Sequence, residues 1–377
     1  MRHVGHAQAA FRSDRSRRPA CATIPGVDSI SVRLDHSGAT ALLGALELDA
    51  ISDTELDDLL GVPAVRATVA NTTKYLPDHT EEAFRTALRT WIDTREEPWG
   101  HFALAFAAEH AAEVRELVGG LNAEQGLISE IQAPLDRYLP ATGPLDVMVH
   151  SVVGGVSDGF VLDGQADPAF FMALDRAQGD VQGVKLNMTH ELYHVIQQAA
   201  RAGVPGLTEV TVEPGAASPV MRLLSTVLDE GTATWVARSM LNGDGPYLSM
   251  WRSAYEKNAD PATVRANFAQ FDRLLAALID REMSWDDAYG AGFSGIGPPL
   301  YFVGFEMSRA IEEARGPEQI GTYFADRPTS FFRDFVALAP GALAPSTEQL
   351  LAATDGPLWK ASVERERQRP GPAGSIR

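Results

Sequence analysis

The sequence predicts an α+β fold, mostly helical, with one small β-sheet placed ahead of a helical bundle. Three observations carry this. Strand-like alternation is confined to short stretches near residues 29–35 and 145–175. From residue 184 onward, apolar side chains recur almost without interruption at helical spacing. Between these regimes lie Pro140 and the Gly143-Pro144 pair, which mark a boundary near 140.

Taken in order, residues 1–28 are poor in apolar side chains and are expected to be disordered. "SISVRLD", beginning at Ser29, alternates like a short strand and opens an N-terminal helical region, 29–140. Helical patterns follow at 39–49, 52–60, 80–93, 102–118 and 125–138. The second of these starts with Ser52 and Glu55 at the spacing of a capping box. The second region, 141–360, begins with strand-like runs at 145–153, 159–164 and 169–175. Helices are then expected at 184–201, 219–241, 245–257, 261–281, 299–315 and 328–338. The tail, 361–377, is again expected to be disordered.

Composition narrows the function. The 377 residues carry a net charge of −18, which argues against a nucleic-acid partner, because a phosphate backbone demands basic patches. Cys21 is the only cysteine, so neither an intrachain disulfide nor a thiolate-rich metal site can form. No apolar run reaches the length of a membrane span. The basic N-terminus lacks the apolar centre of a secretion signal, and a cytoplasmic location is expected.

The run "NMTHELYHVIQ" at 187–197 points to chemistry. Val184, Met188, Leu192, Val195 and Ala199 form an apolar stripe, and Glu191 is the only formally charged residue between Lys185 and Arg201. A helix this apolar should be buried, and a buried lone carboxylate is costly. A metal ion resolves the conflict. His190 and His194, at i and i+4, share one helix face and can converge on a single Zn²⁺. Glu191 is turned about 100° away, so it is placed to act on water rather than to ligate. A di-iron carboxylate site needs a second E-x-x-H, and the other histidines supply none.

A catalytic zinc needs a third protein ligand. Glu213 follows His194 within a Pro/Gly-rich segment; Glu230 lies in the strong helical pattern "VLDEGTATWVA", behind Ser218 as N-cap and Pro219 as first helical residue. Glu230 is favoured because a ligand on a packed helix is held more rigidly, and Glu213 remains the alternative. Gly231 costs such a helix about 1 kcal/mol, a cost that makes sense if two helices approach closely there.

His190-Glu191-Leu192-Tyr193-His194, followed by Asp229-Glu230-Gly231-Thr232-Ala233, resembles the gluzincin class of zincin-like metallopeptidases. It is most similar to bacterial families of zinc-dependent peptidases of unknown function, over about 29–340. The resemblance implies one Zn²⁺ per chain held by His190, His194 and Glu230, and a peptide or protein substrate. Thr234 stands where the thermolysin pattern has an aspartate, which leaves Asp229 to orient a ligand histidine. The resembling families carry a Tyr-x-x-Gly helix, which makes Tyr301 the candidate oxyanion donor, with Tyr193, Tyr247 and Tyr289 as substitutes. His150 could approach the cleft from the sheet, 289–297 could form a flexible glycine-rich loop beside it, and 169–174 could be an edge strand that binds substrate backbone. The expected function is a zinc-dependent peptidase with Glu191 as general base. The alternatives are an amidohydrolase acting on a non-peptide amide, and a non-catalytic binding protein that uses zinc as a clamp.

Overall fold

The structure, a computed structural model, describes residues 30–98, 100–140, 144–162, 168–202 and 219–353. A four-stranded sheet forms from β1 (Ile30–Asp35), β2 (Leu145–Val152), β3 (Gly159–Phe160) and β4 (Ala169–Ala173), in the order β1-β2-β4-β3. β1, β2 and β4 run parallel, with Ile30 opposite Leu145 and Met148 opposite Ala169. β3 runs antiparallel, with Gly159 opposite Met172. β4 is therefore an interior strand, not the edge expected at 169–174. Its unbroken apolar run AFFMA is buried throughout, as befits a strand covered on both faces. The edge on this side is β3.

Helices α1 (Ser37–Leu46), α2 (Asp53–Gly61), α3 (Pro63–Tyr75), α4 (Glu81–Thr94), α5 (Leu104–Glu109), α6 (Ala111–Ala123) and α7 (Leu127–Asp136) lie between β1 and β2. The capping box of α2 forms as its spacing predicts: the Glu55 amide donates to Ser52 Oγ at 3.3 Å and the Ser52 amide to Glu55 Oε2 at 2.8 Å. The pattern at 102–118 resolves into α5 and α6, with Ala103 left-handed ahead of them. α3 has no counterpart in the sequence expectations. Its buried face is partly polar, and Thr68 and Thr72 satisfy their hydroxyls on the carbonyl oxygens one turn back, at 3.0 and 2.9 Å.

The second half packs α8 (Val181–Ala202), α9 (Pro219–Ala237), α10 (Pro246–Ala259), α11 (Pro261–Ile279), α12 (Trp285–Phe293), α13 (Pro299–Arg315), α14 (Glu318–Thr322), α15 (Pro328–Leu338) and α16 (Pro345–Ala353). α12 occupies most of the expected glycine-rich loop. Ser284 caps it by accepting from the Asp287 amide at 3.1 Å, and only 294–297 remain irregular before Pro298. None of the described helices is long and apolar enough to cross a membrane.

Three contacts fix the helices that carry the site. Asp180 is buried and accepts from the Gly183 amide and from the Leu248 amide, both at 2.8 Å, so one carboxylate pins the N-termini of α8 and α10. Lys185 of α8 is 2 % exposed and pairs with Glu130 of α7 at 2.7 Å and with Glu124. α9 and α13 cross in backbone contact at Gly231 and Gly304: a Cβ on Gly231 would lie 2.2 Å from Gly304 Cα. The close approach expected at Gly231 is therefore present, against the helix of Tyr301.

Candidate metal centre

Helical spacing puts His190 and His194 on one face of α8, and α9 brings Glu230 across from them. The two Nε2 atoms lie 3.1 Å apart, and Glu230 Oε2 is 3.3 Å from that of His190 and 3.2 Å from that of His194. Among the described residues this is the one group of side chains able to hold a metal ion, with all ligating atoms within 4.8 Å of one another. The triangle fits zinc. Bonds of 2.0–2.1 Å at tetrahedral angles place neighbouring ligand atoms roughly 3.3 Å apart. Glu213 lies outside the described residues.

The electrostatics of the cluster draws positive charge. Burial pushes the Glu230 carboxyl up, but the charges of the two imidazoles and their hydrogen bonds outweigh it and hold it well below the ordinary glutamate range. Burial also disfavours the charged form of His194. The charge and hydrogen bond of Glu230, the charge of Glu191 and the hydrogen bond to Gln197 prevail, and its pKa is pushed up to about 10. A proton and a divalent cation thus compete for one nitrogen.

Sequence reasoning missed Gln197. His194 Nδ1–H donates to Gln197 Oε1 at 2.8 Å, and Gln197 Nε2 donates to the Asp229 carbonyl oxygen and to Thr232 Oγ1, both at 2.9 Å. This chain of bonds keeps the proton on Nδ1 and presents the Nε2 lone pair to the cluster. Asp229 does not take the orienting role directly: its carboxylate pairs with Arg201, with Nη1 at 2.8 Å. Thr234 bonds back to the Glu230 carbonyl oxygen at 2.7 Å. The available signal was spacing, since Gln197 stands at i+3 from His194 on the same helix face.

Glu191 lines a cavity of about 420 Å³ that opens beside His190. Among the described residues nothing donates a hydrogen bond to its carboxylate. Burial pushes its pKa up; His194 and His190 counter this, Glu230 and Asp158 add to it, and the net effect is a rise above the ordinary value. The cavity wall is aromatic: Tyr247, Trp251, Tyr255, Tyr289, Phe293 and Tyr301 all contribute. The Tyr301 ring stacks on that of His190, with centroids 5.9 Å apart at 8°. Burial, then the charges of Glu230, Tyr289 and Glu191 and a hydrogen bond to Glu230, raise the Tyr301 pKa well above the ordinary value, so the phenol keeps its proton. Gly159 of the edge strand β3 and the preceding Val156 and Asp158 form the facing wall.

Two expectations do not hold. Tyr193 is fully buried, donates to the Tyr138 carbonyl oxygen at 3.2 Å and is absent from the cavity wall, so it is no substitute for Tyr301. His150 bonds to Asp35 at 2.8 Å, stacks on Phe171 with centroids 5.0 Å apart, and is absent from the cavity wall. Position in the fold explains both: one points into the bundle core, the other across the sheet toward β1.

Fold and site together define a mostly helical α+β protein with a half-buried His-His-Glu cluster able to hold a divalent metal ion. The chain belongs to the DUF5700 family, whose model carries the description "Putative zinc dependent peptidase" and matches residues 56–340. No curated protein and no solved structure matches it.

Proposed function

We propose that the chain is a zincin-like peptidase of gluzincin type that binds one zinc ion through His190, His194 and Glu230 and hydrolyses peptide bonds. The observation that carries this is the convergence of three ligating atoms at 3.1–3.3 Å beside an acid that has no hydrogen-bond partner among the described residues. A zinc ion held there would supply Lewis acidity, making water acidic near neutral pH and polarising a carbonyl. The protein's own groups do the rest. Glu191, open to the cavity, takes the proton of the attacking water and passes it to the leaving amine. Tyr301, protonated and stacked on His190, donates to the oxygen on which negative charge develops. β3 is an outer strand of the sheet among the described residues, and its Gly159 lies at the cavity, where it offers its edge to the substrate backbone.

Three measurements test the proposal. Protein purified without chelator should carry about one zinc per chain, and Glu230→Ala should release it while Glu213→Ala does not. Glu191→Gln should keep the zinc and abolish cleavage in a peptide-library digest read by mass spectrometry. If zinc-loaded protein cleaves no peptide but acts on small amides, the amidohydrolase reading replaces this one. If Glu191→Gln changes nothing measurable, zinc serves as a clamp.

A further inference from the structure

The charge around the cavity is one-sided. Asp158 and Glu191 line it as carboxylates, and no lysine or arginine is among its lining residues. Arg176 stands behind Asp158, outside the cavity, and forms an ion pair with it. Its Nη2 donates to the Gly155 carbonyl oxygen at 2.5 Å, and its Nε is 3.6 Å from Asp158 Oδ1, too far for a hydrogen bond. It lines a small adjoining hollow rather than the cavity itself. The Asp158 side chain is 57% exposed, and among the described residues nothing donates a hydrogen bond to its carboxylate.

Tyr247 and Trp251 line the same cavity as Asp158. Tyr247 is buried and lies close enough to Asp158 to feel its charge. A carboxylate beside aromatic faces is suited to cations, which gain from both the charge and the ring quadrupoles. An anionic group would meet the exposed Asp158 carboxylate at this end. A neutral apolar group would strip water from Asp158 and give nothing back.

Building on the peptidase reading, we propose that Asp158, together with Tyr247 and Trp251, binds a cationic group of the substrate, an ammonium or guanidinium, near the scissile bond. Two sources carry that chemistry: a lysine or arginine side chain, and the free α-amino group of a peptide.

The test uses the full chain, zinc-loaded and made inactive by Glu191→Gln, with binding followed by titration calorimetry. One peptide series compares lysine, arginine, norleucine and glutamate at each position; a second compares free with acetylated N-termini. Cationic peptides should bind about tenfold more tightly than their neutral counterparts. That margin should shrink in 0.5 M salt, added as a screening agent at roughly a 4 Å Debye length. Adding Asp158→Asn should bring the margin within about twofold. Loss on acetylation identifies the α-amino group; loss on norleucine replacement identifies the side chain. Cleavage by protein that retains Glu191 is measured in parallel. Peptides cut and bound without charge preference, or a preference that survives Asp158→Asn, overturn the inference and leave the peptidase reading standing. Asp158-dependent binding of cationic peptides without any cleavage does the reverse.

Discussion

Gly231→Ala tests how the site is assembled. The added Cβ would lie 2.2 Å from Gly304 Cα, 2.4 Å from Gly304 C and 2.8 Å from Phe305 N. Carbon atoms in ordinary contact sit about 3.5–4.0 Å apart, so α9 and α13 must separate by roughly 1.5 Å. Both neighbours are backbone, and no flexible side chain can yield. Alanine gains the helix about 1 kcal/mol, and overpacking of this kind costs about 1–3 kcal/mol or more. With no rotamer to relieve the clash, a net loss of about 2 kcal/mol is expected. For a chain of this size that lowers Tm by about 2.5 °C. Glu230 is the residue before Gly231 and shifts with it, while metal bonds tolerate only about 0.2 Å, so zinc affinity should fall at least tenfold. The control is Gly119→Ala in α6, where an added Cβ meets nothing within 4 Å. That change should raise stability by about 0.5–1 kcal/mol and leave zinc binding alone. Thermal unfolding and chelator competition for zinc give the two readouts. If Gly231→Ala matches the wild type in both, the helix crossing does not set the ligand geometry and the reasoning is wrong.

Three further outcomes are expected. Gln197→Ala removes the acceptor that fixes the His194 tautomer and should weaken zinc binding by about 10–100-fold; unchanged affinity in the chelator assay would show the tether to be idle. Burial raises the Glu191 carboxyl in the metal-free protein, so its titration followed by NMR without zinc should have a midpoint above the usual glutamate 4.5. A midpoint at or below 4.5 would refute that reasoning. Asp180→Ala leaves the Gly183 and Leu248 amides without their shared acceptor and should cost about 2 kcal/mol in a denaturant titration, since each lost helix cap is worth about 1 kcal/mol.

The sequence made the α8 motif legible because ligand spacing on a helix is local. His190 and His194 meet whatever the rest of the chain does, and an apolar stripe with one acid announces burial. The α2 capping box and the approach of a second helix to Gly231 were readable for the same reason: cap residues and helix glycines leave a mark within a few positions. α3 was hidden because its buried face carries Thr68, Asn71 and Thr72, which disrupt an apolar count although their polar atoms are satisfied by carbonyl oxygens one turn back and by Ser157. α12 was hidden by Gly290 and Gly292. Gly292 belongs in that helix because a Cβ there would strike Leu300 Cδ1 at 2.6 Å, a packing reason invisible along the chain.

What the sequence by itself determined is the pair of imidazoles with its neighbouring glutamate, together with the mostly helical frame behind a small sheet. Both follow from short-range periodicity. Only the tertiary structure decided that Glu230 reaches the pair, that Gln197 orients His194, that β3 rather than β4 forms the edge, and that Asp158 faces an aromatic cavity. Each of these depends on which distant segments pack together, and packing is settled by shape and burial over the whole chain rather than by spacing within one element.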